Sequence, residues 1–312
     1  MAALGPEIIS YNSVEYPFKK FLGKGGSGTV GLYGNEKTGY LVLKKSYCNE
    51  PDGFSKSEKE NQTAIVVAGL PPCEPADVFW RRGTNTTFPS HDLVRAPLSR
   101  IFQGGCSYAL YEYVPENLAE WLQHHQHRKS DHVVGIFLQI VTILRCLRKR
   151  GYYYNDLKPS NVLLWQEPNG FPRVKIGDLG GLDRQGEPRI TVTPSRFPPK
   201  MLKNMSWKNI DLLTSFLLGE LILQLLFRSP GSGEDHPMND FLKCIKIGDT
   251  NACTSRLLDS LRERLAEGLS LENPDIRDMA ALAFNFLGYQ GMYFSLEEAL
   301  LLNTPLFRST GR

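Results

Sequence analysis

The feature that most constrains the fold is a change of sequence pattern close to residue 115. Before it, short runs of β-branched and aromatic residues alternate with turn residues, which predicts strands near 18–22, 29–33, 40–43, 93–102 and 106–113. After it, the pattern predicts helices over 118–124, 131–150, 207–228, 252–268, 275–287 and 295–302. Strands that come first and helices that follow predict an α+β fold with two separate regions.

One helix is also expected inside the strand-rich part. The segment 57–70 has acidic residues in its first turn and is followed by Pro71 and Pro72, which would end a helix. Residues 71–92 are rich in Pro, Asn, Thr and Arg, which predicts a long loop. We therefore expect one domain over 1–312. Its N-terminal part, about 1–114, would hold an antiparallel sheet plus one helix, and its larger part, about 115–312, would be mainly helical.

Composition limits the possible functions without identifying one. Because 36 Lys and Arg residues face 33 Asp and Glu, the net charge of +3 gives no reason to expect a nucleic-acid or membrane partner. The six cysteines form no C-x-x-C pair, so scattered reduced thiols are expected rather than a zinc site. The apolar stretch 210–227 carries Asp211 and Glu220, which favours a buried helix over a membrane span. The N-terminus lacks a basic region followed by an apolar run, so a cytoplasmic or nuclear location is expected.

A glycine-rich segment joins the first two predicted strands. It reads Gly23-Lys24-Gly25-Gly26-Ser27-Gly28-Thr29-Val30 and fits the pattern G-x-G-x-x-G-x-V. Glycines let backbone N–H groups approach phosphate oxygens without a Cβ clash. Because the segment joins two strands and contains no G-K-[S/T], it indicates neither a dinucleotide fingerprint nor a Walker loop. A hairpin turn without a ligand is the alternative interpretation.

Charged residues follow this segment at positions where they could serve the same ligand. Lys44 ends the strand 40–43, and its ammonium would point at whatever lies under the glycines. Lys45 would face the other side of the strand, and we keep it as the less favoured alternative. The next helix offers Glu58 and Glu60 as partners for the lysine. We favour Glu60, because the alanine and valine four and seven residues after it fit an inward helix face.

The strongest motif is Asp156-Leu-Lys158-Pro-Ser-Asn161, and Asp178-Leu-Gly180 follows it along the chain. With the glycine segment and the strand-end lysine, these motifs resemble those of eukaryotic-type protein kinases, H-R-D-L-K-P-x-N, D-F-G and V-A-I-K. The resemblance covers nearly the whole chain and implies a two-lobed protein-kinase-like fold. The lysine two residues after the aspartate is a feature of serine/threonine kinases.

The resemblance implies a role for each motif residue in phosphoryl transfer from Mg-ATP. Asp156 would orient the acceptor hydroxyl and accept its proton, and Lys158 would neutralise charge on the γ-phosphate. Asn161 and Asp178 would bind Mg²⁺. Lys44, held by the glutamate of the following helix, would bind the α- and β-phosphates beneath the glycine segment.

Further positions can be assigned only through the resemblance. Tyr111 would be the gatekeeper beside the nucleotide, and the backbone from Glu112 to Val114 would be the hinge that hydrogen-bonds adenine. Thr193, in a segment similar to T-x-x-Y-x-A-P-E, would bridge the catalytic aspartate and lysine. Asp211 would begin the long buried helix and brace the catalytic loop.

Two positions depart from the family pattern. Lys200 stands where glutamate is usual, and Asn155 stands before the catalytic aspartate where arginine is usual. In many kinases that arginine binds a phosphorylated residue of the activation segment and orders it. A neutral amide cannot supply the charge, so activity without activation-segment phosphorylation is expected, unless Arg145, Arg148 or Arg150 replaces the arginine.

The sequence therefore predicts an ATP- and Mg²⁺-dependent serine/threonine protein kinase. Its expected partner is a protein substrate with a Ser or Thr hydroxyl, and the oligomeric state cannot be predicted. Two alternatives stay open. One is a pseudokinase or scaffold with the same fold, which loss of a catalytic motif residue would indicate. The other is a kinase of a small molecule or lipid, against which Lys158 and the Thr193 segment argue.

Overall fold

The computed structural model of the chain describes residues 6–25, 28–46, 51–71, 94–103, 105–166, 170–186, 196–203, 210–229, 235–247, 250–288 and 293–301. They form two compact units. The first unit contains the described residues up to Pro71, those from 94 to Pro115, and the distant segment Gly177–Gly180. The second contains Glu116–Ile176 and the described residues from Gly181 onward.

The first unit is built on a six-stranded antiparallel sheet in the order β1-β2-β3-β4-β6-β5. Its strands are β1 (Ile8–Tyr11), β2 (Val14–Gly25), β3 (Gly28–Asn35), β4 (Gly39–Ser46), β5 (Ser99–Gln103) and β6 (Cys106–Glu112). Side chains alternate between the two faces. One buried cluster comprises Leu32, Val42, Ala109 and Tyr111, and another comprises Tyr33, Leu41, Leu43 and Leu110. Both faces of the central strands therefore lie within apolar cores.

Helix α1 (Pro51–Ala68) belongs to the same unit and contacts β4 and β6. Ala64 and Val67 are buried whereas Ile65 and Val66 are exposed, so the predicted inward face is confirmed. The helix begins six residues earlier than residue 57, the predicted start. A proline at its first position is compatible with helix because that position needs no N–H donor.

The second unit is mainly helical. Its helices are α2 (Leu118–His124), α3 (Ser130–Lys149), α4 (Pro199–Lys203), α5 (Ile210–Leu226), α6 (Pro237–Ile247), α7 (Thr250–Glu263), α8 (Pro274–Phe286) and α9 (Leu296–Leu301). Strands β7 (Glu116–Asn117), β9 (Val162–Gln166) and β10 (Pro172–Ile176) form a small antiparallel sheet, and β8 (Tyr152–Tyr154) pairs with β11 (Leu182–Arg184). The last two strands flank the segment that carries the predicted catalytic loop.

Helix α5 is the centre of this unit, and it packs against α3, α6, α8 and α9. Almost all of its residues are buried, which confirms the predicted buried helix. By length and composition α3 could cross a membrane, but 78% of its apolar window is buried inside the protein, as in a core helix. No other helix among the described residues meets those two criteria.

Arg128 lies in the connection between α2 and α3 and caps the C-terminal end of α5. Its guanidinium is fully buried and donates to the carbonyl oxygens of Leu225 at 2.7 Å and Phe227 at 2.5 Å, and also to Leu122 O. These acceptors include terminal carbonyls that have no partner within a helix. Burial lowers the pKa of Arg128 to about 10, so the side chain remains charged at neutral pH.

The cysteines contradict the expectation of reduced thiols. Cys244 on α6 and Cys253 on α7 form a disulfide with Cα atoms 5.7 Å apart. Cys106 and Cys146 are disulfide-bonded as well, and no cysteine in the described part of the chain is free. The prediction was wrong because it rested on motif spacing, whereas disulfide formation depends on which Cβ atoms the fold brings together.

The predicted α+β class, with an antiparallel sheet first and a mainly helical second part, is confirmed. Strand β1, strands β7 to β11, and helices α4 and α6 were not predicted. Strand β1 pairs with β2 through a tight turn at Asn12 and Ser13, whose φ angles of 51° and 63° are uncommon for residues other than glycine. The loop predicted over 71–92 lies, except for Pro71, outside the described residues.

Candidate active site

The first unit brings three charged side chains of the predicted site together. The Nζ atom of Lys44, on β4, lies 2.7 and 2.8 Å from the two carboxylate oxygens of Glu60, on α1. It also lies 3.5 Å from Oδ1 of Asp178. Lys44 and Glu60 are mostly buried, whereas the Asp178 side chain is 48% exposed. The lysine is therefore held by a buried carboxylate beside one that remains accessible to a ligand.

The electrostatics keep this lysine charged. Burial alone lowers the pKa of Lys44, but the negative charges of Glu60 and Asp178 outweigh burial, and the net pKa is raised above its ordinary value. A permanently protonated ammonium at this place can attract a phosphate group.

The structure also distinguishes the alternatives that the sequence left open. Glu58 lies 3.1 Å from Arg100 and accepts a hydrogen bond from Gln62, so it is engaged away from the lysine. The Nζ atom of Lys45 lies 5.8 Å from the Tyr108 ring centre, on the opposite side of β4 from Lys44.

The backbone of Asp178 has a φ angle of 46°, in the left-handed region that residues other than glycine seldom adopt. Such a conformation costs free energy and persists only where the surrounding structure holds it. Asp178 follows β10 in the chain, and this position places its carboxylate within reach of Lys44. An accessible carboxylate in a held conformation suits a site for a hard cation such as Mg²⁺.

The glycine segment lies at the end of the β2–β3 hairpin, where Gly23 pairs with Val30, Lys24 with Thr29, and Gly25 with Gly28. A Cβ atom on Gly28 would lie 2.1 Å from the carbonyl oxygen of Lys45, so close packing of β3 on β4 requires a glycine there. A Cβ on Gly23 would meet nothing within 4 Å, so open space borders this position. The predicted phosphate-binding residues Gly26 and Ser27 lie outside the described residues.

The predicted gatekeeper and hinge residues are at the end of β6. Tyr111 is buried and donates its hydroxyl hydrogen bond to Oδ1 of Asn61, on α1, at 2.9 Å. Burial is the main reason that the pKa of Tyr111 is raised to about 12, so it stays a donor. Glu112 accepts a hydrogen bond from Arg95 at its carbonyl oxygen, and Val114 is half-buried. Sequence reasoning missed Asn61, which ties the glutamate-bearing helix to the sheet one residue after Glu60.

The second unit assembles the catalytic loop. Oδ2 of Asp156 accepts from Nζ of Lys158 at 2.7 Å and from Nδ2 of Asn161 at 3.0 Å. Asn161 also donates to the backbone carbonyl of Asp156 at 2.8 Å. With its amide nitrogen committed to these bonds, the amide oxygen Oδ1 is the atom able to ligate a metal ion. The predicted aspartate, lysine and asparagine thus form one hydrogen-bonded group.

The brace of this loop differs from the expectation. Among the described residues, Asp211 makes no hydrogen bond with the loop, and its Oδ1 lies 2.7 Å from Nε of Arg148, on α3. The bracing residue is Thr214, one turn further along α5, whose hydroxyl lies 3.2 Å from Oδ1 of Asn155. The expected bond from Asp211 to the loop is not made, because its carboxylate is bound by the guanidinium of Arg148.

Two further residues belong to this site and were not predicted. A Cβ atom on Gly181 would lie 2.5 Å from Cβ of Asp156, so only glycine allows this close approach. Arg196 lies with Nη1 3.6 Å from Oδ1 of Asp156 and donates to the carbonyl of Leu157. The predicted bridging residue Thr193 lies outside the described residues. An arginine at the tyrosine position of T-x-x-Y was the available sequence signal.

Comparison with known proteins identifies the family of the chain. The family model of the protein kinase domain matches residues 98–262, which is more than half of the chain. The chain belongs to the protein kinase family. This kinase contains the catalytic-loop and D-L-G motifs within the matched residues, and the resemblance to eukaryotic-type serine/threonine kinases is confirmed at the level of family.

Several curated relatives of this kinase are themselves named as serine/threonine kinases. It is 29% identical over 172 residues to a probable serine/threonine-protein kinase, MRK1 homolog, of Encephalitozoon cuniculi, covering 53% of the chain and 48% of the relative. It is 24% identical over 230 residues to the serine/threonine-protein kinase ArnS of Sulfolobus acidocaldarius, covering 64% and 34%. It is 30% identical over 216 residues to the interferon-induced, double-stranded RNA-activated protein kinase of Rattus norvegicus, covering 66% and 39%. The chain therefore spans less than half the length of these relatives.

Proposed function

We propose that this chain is an ATP- and Mg²⁺-dependent serine/threonine protein kinase that transfers the γ-phosphoryl group to a protein hydroxyl. The observation that carries the proposal is the hydrogen-bonded group of Asp156, Lys158 and Asn161. It places a carboxylate, a cation and an amide oxygen within one loop. Phosphoryl transfer needs positioning and charge neutralisation more than covalent chemistry, and this loop offers both.

The residues of the first unit would bind the nucleotide phosphates. Lys44 would neutralise the α- and β-phosphates, and Glu60 would hold it in place. Bound Mg²⁺ would neutralise developing charge on the phosphates, and the accessible carboxylate of Asp178 is a suitable ligand for it. The resemblance to the kinase family assigns a metal-binding role to the amide oxygen of Asn161 as well. The backbone of Glu112 and Val114 would bind adenine.

The residues of the catalytic loop would act on the acceptor. Asp156 would accept a hydrogen bond from the substrate hydroxyl, hold its oxygen in line with the γ-phosphorus, and take its proton as the bond to phosphorus forms. Lys158 already neutralises one oxygen of this aspartate and would reach the transferred phosphoryl group. The leaving ADP keeps the bridging oxygen and its electron pair.

Serine/threonine specificity is the finer part of the proposal. It is supported by Lys158, two residues after the aspartate, and by the names of the relatives, which are said of those proteins. A pseudokinase or scaffold is the runner-up, but Lys44, Asp156, Asn161 and Asp178 are all present. A small-molecule kinase is the third candidate, against which Lys158 argues.

The disulfides change the proposed location. Disulfides persist in oxidising compartments and are rare in the cytosol and nucleus. Four cysteines in bonded form among the described residues favour maturation in an oxidising compartment over the cytoplasmic or nuclear location expected from sequence.

The experiment is an assay with ATP radiolabelled on the γ-phosphate, with casein and myelin basic protein as acceptors. We expect label on protein Ser or Thr, complete loss with Asp156→Asn and with Asp178→Asn, and normal transfer with Asp259→Asn, a control at an aspartate 67% exposed on α7. Nucleotide binding without transfer would favour the pseudokinase. Label found only on small molecules or lipids would favour the third candidate.

A further inference from the structure

An arginine lies between the catalytic aspartate and a buried glutamate of the core helix. Nη2 of Arg196 lies 2.7 Å from Oε2 of Glu220 and 3.1 Å from the carbonyl oxygen of Leu157. Nη1 lies 3.6 Å from Oδ1 of Asp156. One guanidinium group therefore touches α5, the backbone of the catalytic loop and the side chain that would take the substrate proton.

Glu220 is an unusual residue for its place. It lies in the middle of α5 with only 2% of its side chain exposed. Burial raises its pKa to about 7, although Arg196 opposes the shift. A buried ion pair is a weak source of stability, because desolvation offsets most of the attraction between the charges. A role in orienting a neighbouring group is a better physical explanation for a charged pair at this position.

The contacts of Asp156 indicate which group is oriented. Oδ2 of Asp156 is bound by Lys158 and Asn161, both within the same loop, so neither of these bonds ties the carboxylate to another element of the fold. Arg196 approaches the other oxygen from outside the loop. Within the described part of the chain the buried Nη1 makes no hydrogen bond, and a shift of about half an ångström would bring it within bonding distance of Oδ1.

We propose that Arg196 is a positioning residue that fixes the orientation of the Asp156 carboxylate, and that Glu220 is the buried counter-charge that holds Arg196. The inference deepens the proposed kinase function and rests on it. In the sequence Arg196 stands three residues after Thr193. Neither Arg196 nor Glu220 takes part in the transfer itself.

The test compares Arg196→Met, Arg196→Lys, Glu220→Gln and the double variant Arg196→Met with Glu220→Gln. We expect Arg196→Met to lower kcat about tenfold to a hundredfold while the KM for ATP changes less than about twofold, since orientation and not nucleotide binding is lost. Arg196→Lys should restore part of kcat, because an ammonium keeps the charge without the two-pronged geometry. The double variant should be no slower than Arg196→Met alone, because the glutamate acts through the arginine.

The outcomes separate the inference from the function on which it rests. A wild-type kcat in Arg196→Met overturns the positioning role and leaves the kinase function intact. An unaltered chain that transfers no phosphoryl group overturns both. If Arg196→Met does not fold, as judged by its melting curve, Arg196→Lys and Glu220→Gln decide. A lower kcat at unchanged KM for ATP in both supports the proposal, and a wild-type kcat in both overturns it.

Discussion

Asn155 donates from Nδ2 to Oδ2 of Asp183 at 3.1 Å, and both side chains are buried. The bond ties the residue before the catalytic aspartate to β11, the strand that begins the segment after Asp178. Thr214 on α5 lies 3.2 Å from the amide oxygen of the same asparagine. A neutral amide thus connects the catalytic loop, β11 and the core helix, at the position where many kinases carry a phosphate-binding arginine.

The first prediction is that the enzyme is active without phosphorylation of its activation segment. The tether at Asn155 is made within the chain itself, and Arg148, one possible substitute for the missing arginine, is paired with Asp211 and Glu297. Protein stripped by a phosphatase and confirmed unmodified by mass spectrometry should phosphorylate substrate with no lag. A lag that disappears on pre-incubation with ATP, and that Thr191→Ala or Ser195→Ala prolongs, would contradict the prediction.

The second prediction concerns the choice of lysine. Lys44→Met should abolish transfer, because it removes the ammonium group that Glu60 holds. Without that charge the nucleotide phosphates are no longer neutralised at this position. Lys45→Met is the matched control on the same strand and should retain activity within about twofold, since its ammonium lies on the other face. Steady-state transfer and the unfolding midpoint of both variants are the measurements. An inactive Lys45→Met beside an active Lys44→Met would refute the assignment.

The third prediction concerns the disulfide between α6 and α7. Peptide mapping under non-reducing conditions should recover Cys244 linked to Cys253. Replacing both with serine should lower the free energy of unfolding by about 2–3 kcal/mol, the entropy expected for a closed loop of about ten residues. The effect should vanish when both proteins are compared in reductant. Recovery of both cysteines as free thiols from natively produced protein would contradict the disulfide and the proposed oxidising compartment.

The fourth prediction concerns Arg128. Arg128→Met should lower the free energy of unfolding by about 3–5 kcal/mol, because it leaves several buried carbonyl oxygens without donors. Arg262→Met is the control, at a side chain 61% exposed and paired with Asp259 on the same helix, and should change stability by less than about 0.5 kcal/mol. Denaturant titration measures both. Equal stabilities of the two variants would show that the buried guanidinium is not needed.

The fifth prediction follows from the raised pKa of Glu220, from 4.5 to about 7. Between these values the folded state keeps a proton that the unfolded state has released. This group's contribution to stability is therefore full below pH 4.5 and is lost as the pH rises towards 7. Arg196 is the charged residue in contact and opposes the shift. Glu220→Gln should remove up to about 1.4 kcal/mol per pH unit of that dependence. If the free energy of unfolding changes with pH in the same way for Glu220→Gln and for the wild type, the prediction is contradicted.

The sequence alone determined the order of elements and most of the motif chemistry. Periodicity located the strands β2, β3 and β4 and the core helix α5, because burial of one face or of a whole helix leaves a repeating pattern of apolar residues. Motif spacing brought Asp156, Lys158 and Asn161 into one loop, because a few residues of chain can place their side chains in only a few ways. Local geometry was enough for these features.

Only the tertiary structure decided the features that join distant parts of the chain. It paired Lys44 with Glu60 rather than Glu58, placed Thr214 rather than Asp211 against the catalytic loop, and brought Arg196 between Asp156 and Glu220. It also bonded cysteines that the sequence suggested were reduced. Each of these contacts depends on the packing of one element on another. A shift of one residue or one helical turn changes the partner while leaving the sequence pattern the same.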